Sequence, residues 1–82
     1  MQVRDLPVAL DVSDANGKLI MVLSISRWQL DGKEALLVIL SRMLSNRRIV
    51  KALEKRLVRP NALFVHGLHA SVAVSQVVHR YR

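Results

Sequence analysis

Apolar and polar residues alternate through the first third of the chain, which is the pattern of β-strands with one buried face. The alternation covers residues 8–12, turn-forming residues occupy 13–18, and a second strand-like run extends over 19–28. Four alternating apolar side chains of the second run would share one face: Leu19, Met21, Leu23 and Ile25. The sequence therefore predicts a β-hairpin over residues 3–29.

The periodicity then changes, and residues that favour helices dominate the segment 33–58. Seven positions of this segment follow a helical 3-4 spacing: Leu36, Ile39, Met43, Asn46, Val50, Leu53 and Leu57. Such a spacing suits a helix that is buried along one side, with a polar interruption at Asn46.

The two halves of the helical segment differ in how much of their surface is apolar. In residues 34–45 apolar side chains surround most of the helix, whereas in 47–59 they narrow to a stripe. Four residues of this stripe are expected to anchor it to a core: Ile49, Val50, Leu53 and Leu57. The change predicts a bend near residues 45–46, where Ser45 or Asn46 would cap a second helix. One long bent helix is the alternative.

The last quarter of the chain is predicted to form β-strands. Pro60 ends the helical segment because the residue before a proline disfavours helical geometry. Residues 62–66 form a short apolar run, Gly67 marks a turn or bulge, and alternating valines follow, so strands are predicted over 62–81. A helix is the alternative for the tail, with four residues on one face: Val74, Val77, Val78 and Tyr81.

The order of these elements, ββ-α(α)-ββ, defines the predicted fold class. An 82-residue chain has room for a single domain, here residues 1–82. The order is typical of a small α+β two-layer domain, in which an antiparallel sheet carries one bent helix or two consecutive helices on one face.

The composition adds an expectation about assembly. Hydrophobic residues make up 51% of the chain before its three glycines are counted, against about 45–50% with glycine in average domains. A small domain has proportionally more surface and should need fewer apolar residues. The excess therefore predicts burial against another chain, in a homo-oligomer or as a subunit of a larger complex.

The charge is distributed unevenly along the chain. Residues 1–41 carry four cations and five carboxylates, whereas residues 42–82 carry nine cations and Glu54 as their one carboxylate. A neutral half joined to a cationic half favours a polyanionic partner.

Most of the excess charge lies on the second predicted helix. Arg47, Lys51, Lys55 and Arg59 follow at intervals of four residues, which would place them in one stripe about 18 Å long. Solvated helix faces normally mix the two signs of charge, but here Glu54 alone offsets six cations. These six are the candidate binding residues for nucleic-acid phosphates: Arg47, Arg48, Lys51, Lys55, Arg56 and Arg59.

The low number of aromatic residues limits the kinds of nucleic acid that the chain is expected to bind. Trp28, Phe64 and Tyr81 are the only aromatic residues, too few for a protein that binds single strands by base stacking. We therefore expect contacts to the backbone of duplex DNA or structured RNA, in a nucleic-acid-binding or ribonucleoprotein-associated protein. The alternative is a protein–protein interaction module whose basic face meets an acidic protein surface.

Catalytic, metal and cofactor chemistry have little support in the sequence. The chain has no cysteine, no Gly-rich phosphate loop and no nucleophile or zinc-protease motif, so no enzyme activity and no cofactor is predicted. His66, His69 and His79 lack the helical spacing and neighbouring carboxylates of a metal site, and structural or surface roles are expected for them. A pairing of Ser71 with His69 or His79 has no motif to support it.

The N-terminal residues lack the apolar core of a signal peptide, and the longest apolar run, Ala35–Leu40, is too short to span a bilayer. The sequence therefore predicts an intracellular protein, cytoplasmic or organellar and not secreted, without a membrane span.

Overall fold

The computed structural model describes residues 7–25 and 31–78. It contains a four-stranded sheet and helices in this order: β1 (Val8–Asp14), β2 (Leu19–Ile25), α1 (Lys33–Ser45), α2 (Arg47–Lys55), a 3-10 turn (Pro60–Ala62), β3 (Leu63–Gly67), β4 (Ala70–Ala73) and α3 (Ser75–Val78). The predicted α+β class is confirmed, with strands before and after a helical segment. The ends of the predicted hairpin, 3–6 and 26–29, lie outside the described residues.

All neighbouring strands in the sheet are antiparallel, and their order is β2-β1-β3-β4. The two central strands, β1 and β3, are therefore far apart in sequence. Val12 lies opposite Met21 on one side and Val65 on the other, and Val65 lies opposite Val72. Because directly opposed residues share a face, these side chains form one apolar row beneath the helices.

The β1–β2 turn is closed by a carboxylate. Asp14 Oδ1 accepts hydrogen bonds from the backbone N–H groups of Asn16 at 2.8 Å and Lys18 at 2.9 Å. Gly17 follows with φ of +81°, a conformation that glycine adopts at little cost. The turn chemistry expected for this segment is therefore present.

A β-bulge alters the predicted alternation in β2. Val12 pairs with Met21 but Ser13 pairs with Leu19, so Ile20 is an extra residue on β2. The bulge puts Leu19 on the face of Ser13, away from Met21. The expectation that Leu19 shares a face with Met21 is wrong, because a strict period of two does not survive an inserted residue.

The helical segment is two helices joined at Asn46. The Asn46 N–H donates to the carbonyl of Met43 at 3.1 Å and closes α1. Its side-chain Oδ1 accepts from the N–H groups of Arg48 at 3.0 Å and Ile49 at 3.4 Å, and so caps α2. A bend is thus found where the sequence places it, and Asn46 rather than Ser45 is the cap.

α2 ends three residues earlier than predicted. Leu57 has φ of +57°, and its N–H donates to the carbonyl of Glu54 at 2.9 Å, while the Val58 N–H donates to the carbonyl of Leu53 at 3.0 Å. These two bonds form a Schellman motif, which usually has glycine at the left-handed position. Leu57 is 93% exposed, so its predicted role as a core anchor is wrong.

The C-terminal hairpin turns at residues that the sequence did not single out. Leu68 and His69, with φ of +50° and +61°, form a two-residue connection between Gly67 and Ala70. The predicted strand continuing to residue 81 is also wrong in its described part, because β4 stops at Ala73 and α3 follows. Residues 79–81 of that prediction lie outside the described range.

The helix layer is displaced toward one edge of the sheet. α1 packs mainly on β3, β4 and α2, so the helix-facing residues of β2, Met21, Leu23 and Ile25, remain half-buried. The fully covered part of the core comprises Leu10, Val12, Ala35, Leu36, Ile39, Leu40, Met43, Leu53, Leu63, Val65, Leu68, Val72, Val74 and Val77. The apolar layer between the sheet and the helices is therefore covered at the β4 edge and only partly covered at the β2 edge.

Candidate nucleic-acid interface

α2 is held to the rest of the molecule along one side. Leu53 is completely buried and Ile49 packs against the core, so two of the four predicted anchors contact it, whereas Val50 is only half-buried. Asn46 fixes the first turn through its two backbone hydrogen bonds. The orientation of α2, and of the side chains on its outer side, is therefore set by packing and capping together.

Four of the six predicted cations lie together on the outer side of α2. At about 100° per residue they fall within an arc of about 100°, and they span about 12 Å along the axis. All four are exposed. We call this surface the basic face, and its residues are Arg47, Arg48, Lys51 and Lys55.

Arg59 does not belong to the basic face. The predicted spacing of four residues holds only while the helix continues, and α2 ends before Arg59 is reached. Arg59 has extended backbone angles, φ of −85° and ψ of 127°, and lies beyond the left-handed turn at Leu57. It is exposed, but its position relative to α2 is not that of a fourth helical repeat.

Arg56 has a structural contact that the sequence did not indicate. Its Nη1 donates a hydrogen bond of 2.7 Å to the backbone carbonyl of Ile20, the bulged residue of β2. The guanidinium thus ties the C-terminal end of α2 to the sheet edge. No local pattern could reveal this, since the two residues lie 36 positions apart.

The basic face has little opposing charge. Within residues 7–25 and 31–78, none of its four cations forms an ion pair with a carboxylate. The first turn of α2 contains no acidic residue, although the helix dipole favours one there, and Arg47 and Arg48 occupy that turn instead. These two cations are unfavourable in that turn, so their presence there does not serve the stability of α2.

A shallow groove runs beside the basic face. Its volume is about 340 Å³, and it is lined by Leu44, Arg47, Val50, Lys51 and Glu54. The lining combines two apolar side chains, Leu44 and Val50, with two cations and the carboxylate of Glu54. The groove is therefore mixed in character, with cations in excess of carboxylates.

His66 lies on β3 and His69 in the β3–β4 turn, so neither belongs to α2. His66 Nε2 is 2.9 Å from the Oγ of buried Ser13, and His66 Nδ1 is 2.8 Å from the Oγ of Ser71, so a hydrogen-bonded line crosses three strands. Ser71 thus contacts His66 rather than His69, which lies exposed in the β3–β4 turn. His79 is outside the described residues.

Two further findings concern the described part of the chain. No group of three or more histidine or carboxylate side chains there is arranged to hold a metal ion. None of the helices in residues 7–25 and 31–78 combines the length and apolarity that crossing a bilayer requires.

Comparison with protein-family models, with curated proteins and with solved structures finds no significant match to this chain. The function is therefore inferred from the geometry of the site.

Proposed function

We propose that this protein binds the phosphate backbone of duplex DNA or structured RNA through the basic face of α2, as a nucleic-acid-binding or ribonucleoprotein-associated protein. The observation that carries this proposal is the grouping of four exposed cations, without an ion pair among the described residues, on one side of a helix that is anchored on the other. Cations on one side of an anchored helix can engage several phosphates at once and release their counterions.

The spacing of the basic face supports backbone contacts. Lys51 and Lys55 lie about 6 Å apart along the helix axis, close to the distance between successive phosphates of a strand. Backbone contacts set position and orientation but carry no sequence information directly. The expected binding is strong at low salt and tolerant of sequence.

The decisive experiment reverses two charges in two places. Lys51→Glu with Lys55→Glu changes the basic face, whereas Lys18→Glu with Lys33→Glu changes two exposed lysines of the β1–β2 turn and the start of α1. Both double variants lower the net charge of +7 equally. We expect the first to weaken binding to a generic duplex by at least about tenfold and the second by no more than about threefold.

Binding is measured by fluorescence anisotropy with duplex DNA, duplex RNA and heparin in a salt series. Equal losses in the two double variants would contradict the proposal, because net charge rather than the basic face would then account for binding. Equal, weak and salt-labile binding to all three ligands would also count against a functional role in nucleic-acid recognition.

Leu57 favours a second candidate function, in which the basic face meets an acidic protein surface. This exposed leucine follows Lys55 and Arg56 in a left-handed conformation, so an apolar side chain projects beside cations. An acidic protein surface would pair with the cations and could also bury this leucine, a contact that a phosphate backbone does not need. Leu57→Ser should leave duplex binding unchanged if phosphates are the ligand, and a loss would favour a contact that needs the leucine.

A further inference from the structure

The apolar layer is incompletely covered beside β2. A groove of about 250 Å³ opens between the end of this strand and the helices, lined by Leu23, Ser24, Ile25, Ile39, Arg42, Met43, Asn46 and Ile49. Its lining is largely apolar and continuous with the buried core, since Ile39 and Met43 belong to both. In the described residues, the core is thus accessible from this edge of the sheet.

β2 is also an edge strand with little protection beyond its bulge at Ile20. Leu19–Ile25 contains no charged residue and no proline, two of the devices by which edge strands avoid pairing with other chains. Leu19 is 55% exposed and Val22 is 52% exposed. By contrast, the opposite edge strand, β4, has only four residues and runs directly into α3.

The contact from Arg56 protects only the beginning of this edge. Its guanidinium donates a hydrogen bond to the carbonyl of Ile20 at the bulge. Val22 to Ile25 lie beyond it, and the last three of these residues line the groove. The part of β2 that is available for pairing therefore lies beside the open core. A strand added there could also cover this core with its side chains.

We propose that a second copy of this chain occupies the edge, with β2 pairing antiparallel to β2 of its partner around a twofold axis near Val22 and Leu23. β2 is itself a suitable partner strand, since it is uncharged, lies at the sheet edge and has an apolar helix-facing row. A twofold axis perpendicular to the sheet keeps both helix layers on the same side. The two grooves then meet across the axis and close each other.

The charge distribution is compatible with this pairing despite the net charge of +7. Ile49 and Arg56 face β2, and the centre of the basic face is turned by more than a quarter of a turn around α2 from them. The cations of both basic faces therefore point away from the interface, whereas Arg42 and Arg56 lie beside it. The dimer does not depend on nucleic-acid binding and would present two basic faces on one side of an eight-stranded sheet.

The test places a lysine at either of two exposed valines. Val22→Lys adds a charge to the free edge, whereas Val38→Lys adds the same charge to α1, where the valine is 42% exposed. By analytical ultracentrifugation we expect the unchanged chain and Val38→Lys to be dimers and Val22→Lys to be a monomer. A monomeric unchanged chain at the highest attainable concentration, or a dimeric Val22→Lys, would overturn the proposal.

Cross-linking checks the geometry independently. Since the chain has no cysteine, single cysteines can be placed in turn at positions 22, 23 and 24, with Val38→Cys as the control. In an antiparallel twofold pair, one residue lies directly opposite itself, within disulfide distance. We expect one of the three to form a disulfide dimer on mild oxidation much faster than the control. No preference over Val38→Cys would contradict strand pairing here, and would leave the effect of Lys51 and Lys55 on duplex binding unaltered.

Discussion

Leu57 is the residue whose conformation and surroundings disagree most with its type. A left-handed backbone costs a non-glycine residue about 1–2 kcal/mol, and burial of the side chain does not offset this because Leu57 is exposed. The two carbonyls at the end of α2 still receive their hydrogen bonds from Leu57 and Val58. The helix end is therefore well formed but carries a residue poorly suited to it.

Replacing Leu57 with glycine should stabilise the protein. Relief of the left-handed conformation is partly offset by the greater chain entropy of unfolded glycine, so Leu57→Gly is expected to raise the free energy of unfolding by about 0.5–1 kcal/mol. Leu57→Ala keeps the conformational cost and should change little. Urea denaturation measures both variants, and a destabilised Leu57→Gly would show that the leucine makes a stabilising contact.

α2 is a short element that depends on its surroundings. Nine residues are too few for an isolated helix to be stable in water, so its structure requires the burial of Leu53 and the cap at Asn46. The backbone N–H of Asn46 also closes α1 by donating to the carbonyl of Met43. A single residue therefore joins the two helices and sets the angle between them. The position of the basic face therefore depends on this junction as well as on the cations themselves.

Removal of the cap should therefore affect both stability and binding. Asn46→Ala is expected to lower the free energy of unfolding by about 1 kcal/mol, because two N–H groups of the first turn lose their acceptor. Duplex binding should weaken as the first turn frays around Arg47 and Arg48. Asn61→Ala, at an exposed site outside α2, serves as the control in urea denaturation and anisotropy. Equal stability of the two variants would argue against Asn46 as the cap.

The features that the sequence predicted correctly are those set by neighbouring residues. The turn at Asp14, the junction at Asn46, the burial of Leu53 and the exposure of Lys51 and Lys55 all follow from local spacing. Periodicity in the sequence indicates which side of a helix or strand is apolar, and in these elements that side is the one buried in the fold.

The features that were missed depend on contacts between distant residues or on rare backbone angles. The bulge at Ile20 and its bond to Arg56 join elements far apart in the chain. The early end of α2 requires positive φ at a leucine, and the last hairpin requires it at Leu68 and His69, where glycine or asparagine would be usual. Nothing in the local pattern identifies these positions.

At the scale of the whole molecule, ionic strength tests how many phosphates one protomer contacts. If all four cations of the basic face bind phosphates, the slope of log K against log salt should be about −3.6. Val22→Lys, which is expected to isolate the protomer, is the variant to use for this measurement. A slope flatter than about −1 would show that the basic face contributes little to binding.

The strand order has a consequence for how the chain folds. The middle of the sheet joins β1 to β3, and the contact between Ser13 and His66 spans 53 positions. The β1–β2 hairpin can form early, but β1 finds its second neighbour only after both helices have been synthesised. Pairing across so long a loop carries a large entropic cost and slows folding. During synthesis the β1 edge of the hairpin therefore stays unpaired until β3 has emerged.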